Sequence, residues 1–319
     1  MSPRQATVKA DAGRLSLPAI LVHGGAGNFE RVGSEADAAG IREGLEAALA
    51  AGWASLLAGA TALEAVVEAV ASLEDSARFN AGRGAVSTSA GTFELDAGVM
   101  DGTTGKVGAV CAVTWPANPV RVACKVAEIG GPPGGPVLLA GPGADRFSEE
   151  WGFEQMTPSM RAASTGETED DFTGFPSGPL SAAGTVGAVA VDTEGRVAAA
   201  TSTGGRSGQL PGRVGDTPVP GAGVWAASAT AAISATGAGE AFVVAGFGHR
   251  IDWEMRAGLE LQAAVRAGLD AVARLGGDGG GIAITPDGTF AASFNSRAMA
   301  RGWRDARGSV TRVMPTPAN

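Results

Sequence analysis

The spacing of apolar and polar positions changes several times along the chain. Pro18–His23 holds an unbroken Ala-Ile-Leu-Val run, which predicts a short buried strand ending in Gly24-Gly25-Ala26-Gly27. Leu45, Leu49 and Leu56, then Leu63, Val66, Val70 and Leu73, recur at helical spacing and predict helices laid on a sheet. Ser34 stands where it would cap the first helix, Glu35–Leu57. Thr61-Ala-Leu-Glu64 has the form of a capping box opening the second, Leu63–Leu73. Phe93–Met100 and Val107–Thr114 read as strands, Pro119 opens a helix through Ile129, Val137–Ala140 is a brief strand and Gly143–Trp151 a short helix.

Periodicity is then lost. Gln155–Gly184 carries Pro158, Pro176, Pro179 and the acidic run Glu167-Thr-Glu-Asp-Asp171, with a period of neither 2 nor 3.6. This predicts a mobile linker, and so long a loop inside a compact domain is usually functional. Strands resume over Thr185–Val191, Val197–Thr203, Val224–Ala226 and Thr230–Ala235. A long helix, Ile251–Leu275, follows, and a hairpin of Gly281–Thr285 and Thr289–Phe294 around Pro286-Asp287-Gly288 closes the chain. This order predicts a layered α/β plan with antiparallel pairs, not a steady βαβ alternation.

Composition narrows the function classes. The 319 residues are 45% hydrophobic and 18% charged with 50 glycines, which excludes disorder over the whole chain and favours a turn-rich, largely buried sheet. The net charge is −9 and no basic stripe exists, so neither nucleic acid nor an anionic membrane is an expected partner. No apolar run reaches the ~18 residues of a membrane span, and Met1–Pro18 lacks the apolar core of a signal peptide, so a cytoplasmic location is expected. Cys111 and Cys124 form no CxxC and read as small buried hydrophobes. His23 and His249 are the only histidines, and neither HExxH nor GxSxG occurs.

Two glycine-rich segments fall short of phosphate-binding motifs. His23-Gly-Gly-Ala-Gly27 has Glu30 where GxGxxG needs its third glycine, and Gly102-Thr-Thr-Gly-Lys106 is followed by Val107 instead of Ser or Thr. The chemistry concentrates after the linker: Gly184-Thr185-Val-Gly-Ala-Val-Ala190, Thr201-Ser-Thr-Gly-Gly205, Pro211-Gly-Arg213-Val-Gly-Asp216 and Thr236-Gly-Ala-Gly-Glu240. A threonine hydroxyl is a poor nucleophile unless a base takes its proton. If the chain were cut before Thr185, the freed α-amine, with a pKa near 7.7–8.0, would be that base. Taken on spacing alone, Gly-Thr-Val-Gly reads first as the plain opening of a strand.

These blocks, together with Leu-Val-His-Gly-Gly-Ala-Gly (21–27), Phe79-Asn-Ala-Gly-Arg-Gly84, Glu94-Leu-Asp-Ala-Gly-Val-Met-Asp-Gly102 and Phe294-Asn295, resemble the plant-type asparaginase and isoaspartyl peptidase family of Ntn hydrolases. The resemblance covers nearly the whole chain except the linker and the two tails. It implies a four-layer αββα sandwich, two stacked sheets between helix layers, forming one domain over 1–319. It also implies cleavage between Gly184 and Thr185 into an α subunit (1–184) and a β subunit (185–319), and a homodimer of the cut units. No cofactor is required.

The family's roles fall on matching positions. Thr185 would be the nucleophile and Thr203 would hold it. Thr236 and Gly237 would form the oxyanion hole. Arg213 would grip the substrate α-carboxylate, Asp216 the α-ammonium, and Gly239 would add a backbone contact. Without the resemblance, Arg213 and Asp216 are equally a structural ion pair across a loop. Asn80 would help to order the site, whereas Asp96 and Asp101 read as turn and scaffold residues and His249 as structural. In relatives, the loop carrying Leu73, Glu74, Ser76, Phe79, Ala81 and Arg83 wraps a sodium ion with backbone carbonyls, and the alternative is a plain helix-to-strand loop. The chain departs from the family at Ala227 and Ser228, where relatives carry Asp or Asn, which weakens inference about substrate choice there. Glycosylasparaginase, a threonine endopeptidase of the same fold, and a non-catalytic binding protein on this scaffold are the rival readings. The last would be expected to lose Thr185, Thr203 or Arg213, and all three are present.

Overall fold

The computed structural model describes residues 7–27, 35–162 and 184–313. The first half holds β1 (Lys9–Arg14), β2 (Ala19–Gly27), α1 (Glu35–Leu57), α2 (Ala62–Asp75), a 3-10 turn at Gly82–Gly84, β3 (Leu95–Asp101), β4 (Val107–Val113), α3 (Pro119–Ile129), β5 (Leu138–Ala140), α4 (Gly141–Glu150) and α5 (Pro158–Ala162). The second half holds β6 (Val186–Val191), β7 (Val197–Thr203), β8 (Val224–Ala226), β9 (Ala232–Gly237), α6 (Gly239–Ala245), α7 (Phe247–Arg256), α8 (Leu261–Arg274), β10 (Gly279–Ile284), β11 (Thr289–Phe294), β12 (Ala298–Asp305) and β13 (Gly308–Arg312).

The strands form two sheets, in the orders β1-β11-β10-β9-β8 and β13-β12-β2-β6-β7-β3-β4-β5. β4 and β5 pair in parallel, whereas β6 pairs antiparallel with both β2 and β7, and β7 antiparallel with β3. Strands from either side of the 163–183 segment therefore alternate within the larger sheet, so the two halves share one α/β core.

Three apolar clusters account for the packing. One joins α1, α2 and α3 to the eight-stranded sheet through Leu45, Leu49, Val66, Val70, Ile20 and Val22. A second lies between the sheets, with Leu21, Val189, Val191 and Val197 meeting Val224, Ile282 and Ile284. A third packs α6, α7 and α8 on the five-stranded sheet around Phe242, Phe247 and Leu269. Successive strand residues point to opposite faces. In β6, Val186, Ala188 and Ala190 therefore face the helices while Val189 and Val191 face the other sheet. Both faces are buried, which is why these strands read as continuous apolar runs.

The capping box at Thr61 forms as expected: Glu64 N–H donates to Thr61 Oγ1 (3.2 Å) and Thr61 N–H to Glu64 Oε2 (2.7 Å). Three expectations are corrected. The long helix Ile251–Leu275 is two helices, α7 and α8, broken where Gly258 takes φ +100 and Glu260 is extended. The short helix α6 precedes them, set off by Gly246 at φ +57. The hairpin does not close the chain, because β12 and β13 follow it, and β1 precedes β2. Charge disguises these strands: Arg301 of β12 is fully buried, and its Nε donates to Asp11 of β1 (2.7 Å). Finally, Gln155 at the start of the expected linker bridges to Pro116, and Pro158–Ala162 is helical. The rest of that linker, 163–183, and the Ser34 cap lie outside the described residues.

Candidate active site

Residue parity builds the site. The face of β6 that points between the sheets carries Gly187, Val189 and Val191, and Thr185 falls at the same parity just before the strand. The same inter-sheet layer receives His23 from β2, Asp96 from β3, Thr201 and Thr203 from β7, and Ser234 and Thr236 from β9. It is apolar at one end and polar at the other, and Thr185 stands at the polar end.

Thr185 is 9% exposed and its Oγ1 donates to Thr203 Oγ1 at 3.1 Å. Thr203 Oγ1 also accepts the Gly205 N–H at 3.0 Å, which fixes its own position. Asn80 secures that turn, because its Nδ2 donates to Gly205 O (2.7 Å), its Oδ1 accepts Val86 N–H (3.0 Å) and its carbonyl accepts Gly204 N–H (2.9 Å).

Thr236 Oγ1 accepts the Ala26 N–H at 3.2 Å, which leaves its own proton to be donated. That oxygen lies 3.3 Å from where a β-carbon on Gly184 would stand. Gly237 has φ +145, and a β-carbon there would meet Asp278 O at 2.4 Å, so only glycine fits the turn after Thr236.

The charged part sits on the next loop. Arg213 Nε donates to Glu240 Oε1 at 2.9 Å, and Nη2 lies 2.8 Å from the same oxygen without hydrogen-bond geometry. Nη1 donates to Gln209 Oε1 at 3.4 Å. Asp216 is buried, its Oδ2 has no hydrogen-bond partner, and burial pushes its carboxyl up to about 7 against the opposing pull of Arg213. A β-carbon on Gly239 would stand 3.0 Å from both Arg213 Nη2 and Asp216 Oδ1, so glycine keeps that space open. Buried polar atoms without partners are rare, and two of opposite sign beside a space suit a zwitterionic ligand.

Of the residues expected in the sodium loop, Leu73 and Glu74 are in the last turn of α2, Ser76, Phe79 and Ala81 lie in the loop after it, and Arg83 is in the 3-10 turn. The carbonyls of this stretch crowd two glycines: a β-carbon would stand 2.5 Å from Glu74 O at Gly82, and 2.1 Å from Phe79 O and 3.0 Å from Ala77 O at Gly84. These close approaches are why the turn has glycine at both positions. No group of three His, Cys, Asp or Glu side chains among the described residues is arranged to hold a metal.

Sequence reading gave no role to Gln209 and Glu240, which flank Arg213, or to a buried polar chain below Thr185. In that chain His23 Nε2 and Ser234 Oγ are 2.9 Å apart, Ser234 Oγ and Thr201 Oγ1 2.7 Å apart, and Thr201 Oγ1 donates to Gly223 O at 3.1 Å. Burial pushes the His23 imidazole down to about 3, so it is neutral. Gly187 makes room for it, since a β-carbon there would meet Ser234 Oγ at 2.0 Å and His23 Nε2 at 2.5 Å. The only sequence signal was a glycine two residues after Thr185. Asp101 caps a turn through Thr103 N–H and Thr104 Oγ1, and His249 packs against the Trp225 ring at 5.0 Å, as their scaffold readings require.

The family model described as asparaginase matches residues 16–313. The isoaspartyl peptidase of Escherichia coli (strain K12) is 42% identical over 298 residues, covering 89% of this chain and 92% of its own. The plant-type L-asparaginase of Pyrobaculum calidifontis is 40% identical over 302 residues, covering 90% and 97%. The isoaspartyl peptidase/L-asparaginase of Danio rerio is 38% identical over 292 residues, covering 89% and 91%.

Proposed function

The chain belongs to the asparaginase family and is a hydrolase, and on that premise we propose that it hydrolyses L-asparagine and β-aspartyl dipeptides with Thr185 as an N-terminal nucleophile. The observation that carries this reading is the placement of three threonines about one backbone point: Thr185 Oγ1 bonded to Thr203 Oγ1 at 3.1 Å, with Thr236 Oγ1 beside Gly184.

In maturation the Thr185 hydroxyl attacks the Gly184 carbonyl carbon and the peptide nitrogen leaves as the α-amine, giving an ester. Water then opens the ester to a Gly184 carboxylate and a free Thr185 hydroxyl. In turnover the α-amine takes the hydroxyl proton while Oγ1 attacks the side-chain amide carbon of the substrate. Thr236 and Gly237 N–H receive the oxyanion, where each such donor lowers the barrier by about 3 kcal/mol. The amine leaves with the proton, and water hydrolyses the acyl-threonine. Arg213 offers a planar fork to the α-carboxylate. Ionised Asp216 receives the α-ammonium, and Gly239 leaves space for both groups.

The four-layer αββα arrangement, with 1–184 and 185–319 as subunits of one domain, agrees with the three packing clusters. A sodium ion would be held by the carbonyls of the Leu73–Arg83 loop and would stiffen the approach to Asn80. A homodimer of cut units and a cytoplasmic location complete the proposal. No helix among the described residues is long and apolar enough to cross a membrane.

Intact-mass analysis combined with ammonia release tests the reading. The wild-type protein is expected to give two chains, the second starting at Thr185. Thr185→Ala is expected to stay uncut, folded by circular dichroism and inactive on asparagine. An alanine variant that is still cut at this bond, or still releases ammonia, removes Thr185 from the role.

A further inference from the structure

The buried chain of His23, Ser234 and Thr201 lies two residues along each strand from the site. His23 precedes Gly25 on β2 by two positions, Thr201 precedes Thr203 on β7, Ser234 precedes Thr236 on β9, and Gly187 of β6 follows Thr185. Residues two apart on a strand share a face and stand about 6.6 Å apart. The three polar side chains are fully buried. Ser234 comes from the five-stranded sheet, whereas His23 and Thr201 belong to β2 and β7, which flank β6 on either side in the eight-stranded sheet. Ser234 Oγ is 2.9 Å from His23 Nε2 and 2.7 Å from Thr201 Oγ1, so it is tied to both neighbours of the nucleophile's strand. It stands over Gly187 between them, where a β-carbon would come within 2.0 Å of its oxygen. One proton arrangement bonds the whole chain. Thr201 Oγ1 donates to Gly223 O at 3.1 Å, so it accepts from Ser234, and Ser234 accepts the Nε2–H of the neutral His23. Deeper between the sheets the contacts are apolar, among them Leu21, Val189, Val197, Val224 and Ile282. Apolar contacts are non-directional and allow two sheets to slide, whereas hydrogen bonds fix both length and direction.

We propose that Ser234, pinned by His23 and Thr201 in the slot left by Gly187, is a positioning residue that seats Thr236 against the 184–185 bond and later against the scissile amide of the substrate. On the amidohydrolase reading, on which this role rests, an oxyanion donor of one sheet must be aligned with a nucleophile of the other. With Ser234 centred over β6, Thr236 falls over Gly184, where a β-carbon would stand 3.3 Å from Thr236 Oγ1. Removing the pin lets the five-stranded sheet shift along β6, and the oxyanion donor moves with it. Such a shift acts on the transition state, in which the oxyanion forms, and not on the Arg213 grip, which binds the ground state as well.

The test compares Ser234→Ala, Thr201→Val, which keeps the shape without the hydroxyl, Thr201→Ser, which keeps the hydroxyl, and the double variant Ser234→Ala with Thr201→Val. kcat and KM for L-asparagine and a β-aspartyl dipeptide are measured per cut chain, and the rate of cleavage before Thr185 is followed by intact mass. Ser234→Ala is expected to lower kcat and to slow cleavage about tenfold each, with KM within about twofold, because a misplaced oxyanion donor costs rate and not ground-state binding. Thr201→Val is expected to lose about fivefold in both rates, and Thr201→Ser less than about twofold. The double variant is expected to fall no more than about twofold below Ser234→Ala, because both substitutions act through one chain. Rates of Ser234→Ala within about twofold of wild type, a raised KM at unchanged kcat, Thr201→Ser no better than Thr201→Val, or losses that multiply in the double variant would each overturn the role. Should Ser234→Ala fail to fold, Thr201→Val decides: a lowered kcat at unchanged KM supports the pin, and a wild-type kcat overturns it. A wild-type protein inactive on both substrates overturns the amidohydrolase reading itself, whereas an active wild type with unaffected variants overturns the pin alone.

Discussion

Gly25 and Gly184 meet backbone to backbone: a β-carbon on Gly25 would stand 2.3 Å from the Gly184 nitrogen and 2.8 Å from its Cα. Gly25 also has φ +106, so both its space and its conformation demand glycine. The end of β2 thus forms one wall of the point at which the chain is proposed to cut itself.

Gly25→Ala is therefore expected to displace Gly184 from Thr185 and Thr236. Cleavage slows at least tenfold, a barrier change of about 1.4 kcal/mol, while the fold remains. A time course of intact mass checks this, and cleavage at the wild-type rate would show that the contact is immaterial to it.

Arg213→Lys keeps the positive charge and loses the fork. Nε and Nη2 of Arg213 face one oxygen of Glu240, and an ammonium cannot hold that carboxylate and a ligand carboxylate in the same plane. KM for asparagine is expected to rise about tenfold or more, equivalent to losing one charge-assisted hydrogen bond, with cleavage before Thr185 intact. Unchanged kcat/KM for both asparagine and β-aspartyl dipeptides would remove Arg213 from the grip.

Stability should depend on pH through Glu74. Burial pushes its carboxyl up from 4.5 to about 8, against the Val120 N–H, which donates to Oε1 at 3.1 Å and favours the ionised form. A folded-state value above the unfolded one means that the folded state holds the proton more tightly. Its stabilising contribution is full below pH 4.5 and is lost as the pH rises through about 8. Glu74→Gln keeps an acceptor for Val120 N–H without the titration. Urea melts at pH 6 and pH 9 are expected to differ less for the variant than for the wild type, and equal differences would exclude Glu74 as a source of the slope.

Thr61→Ala removes the side-chain half of the α2 capping box, the acceptor for Glu64 N–H and the Oγ1 bond to Glu64 Oε2, and leaves the backbone N–H of residue 61 donating to Glu64. The expected loss is about 1 kcal/mol in urea unfolding, with no effect on activity because the cap is remote from Thr185. A loss within error would mean that solvent replaces the cap.

The sequence by itself determined most elements and the chemistry that the site could contain. Local signals sufficed for α1, for the capped start of α2, and for the hairpin of β10 and β11, because period, caps and turn residues act over a few positions. The family strings identified Thr185, Thr203, Thr236, Arg213 and Asp216 as one group without showing how they meet. Tertiary structure decided the rest. The split between α7 and α8 depends on the backbone at Gly258, and β1 and β12 are joined by Asp11 and the buried Arg301, partners at opposite ends of the chain. Asp96 reaches its place by register across β3 and β7, and His23 meets Ser234 only because two sheets stack. Strands buried on both faces show no polar alternation, so which residues point between the sheets cannot be read along the chain; it is fixed when the sheets pair and pack.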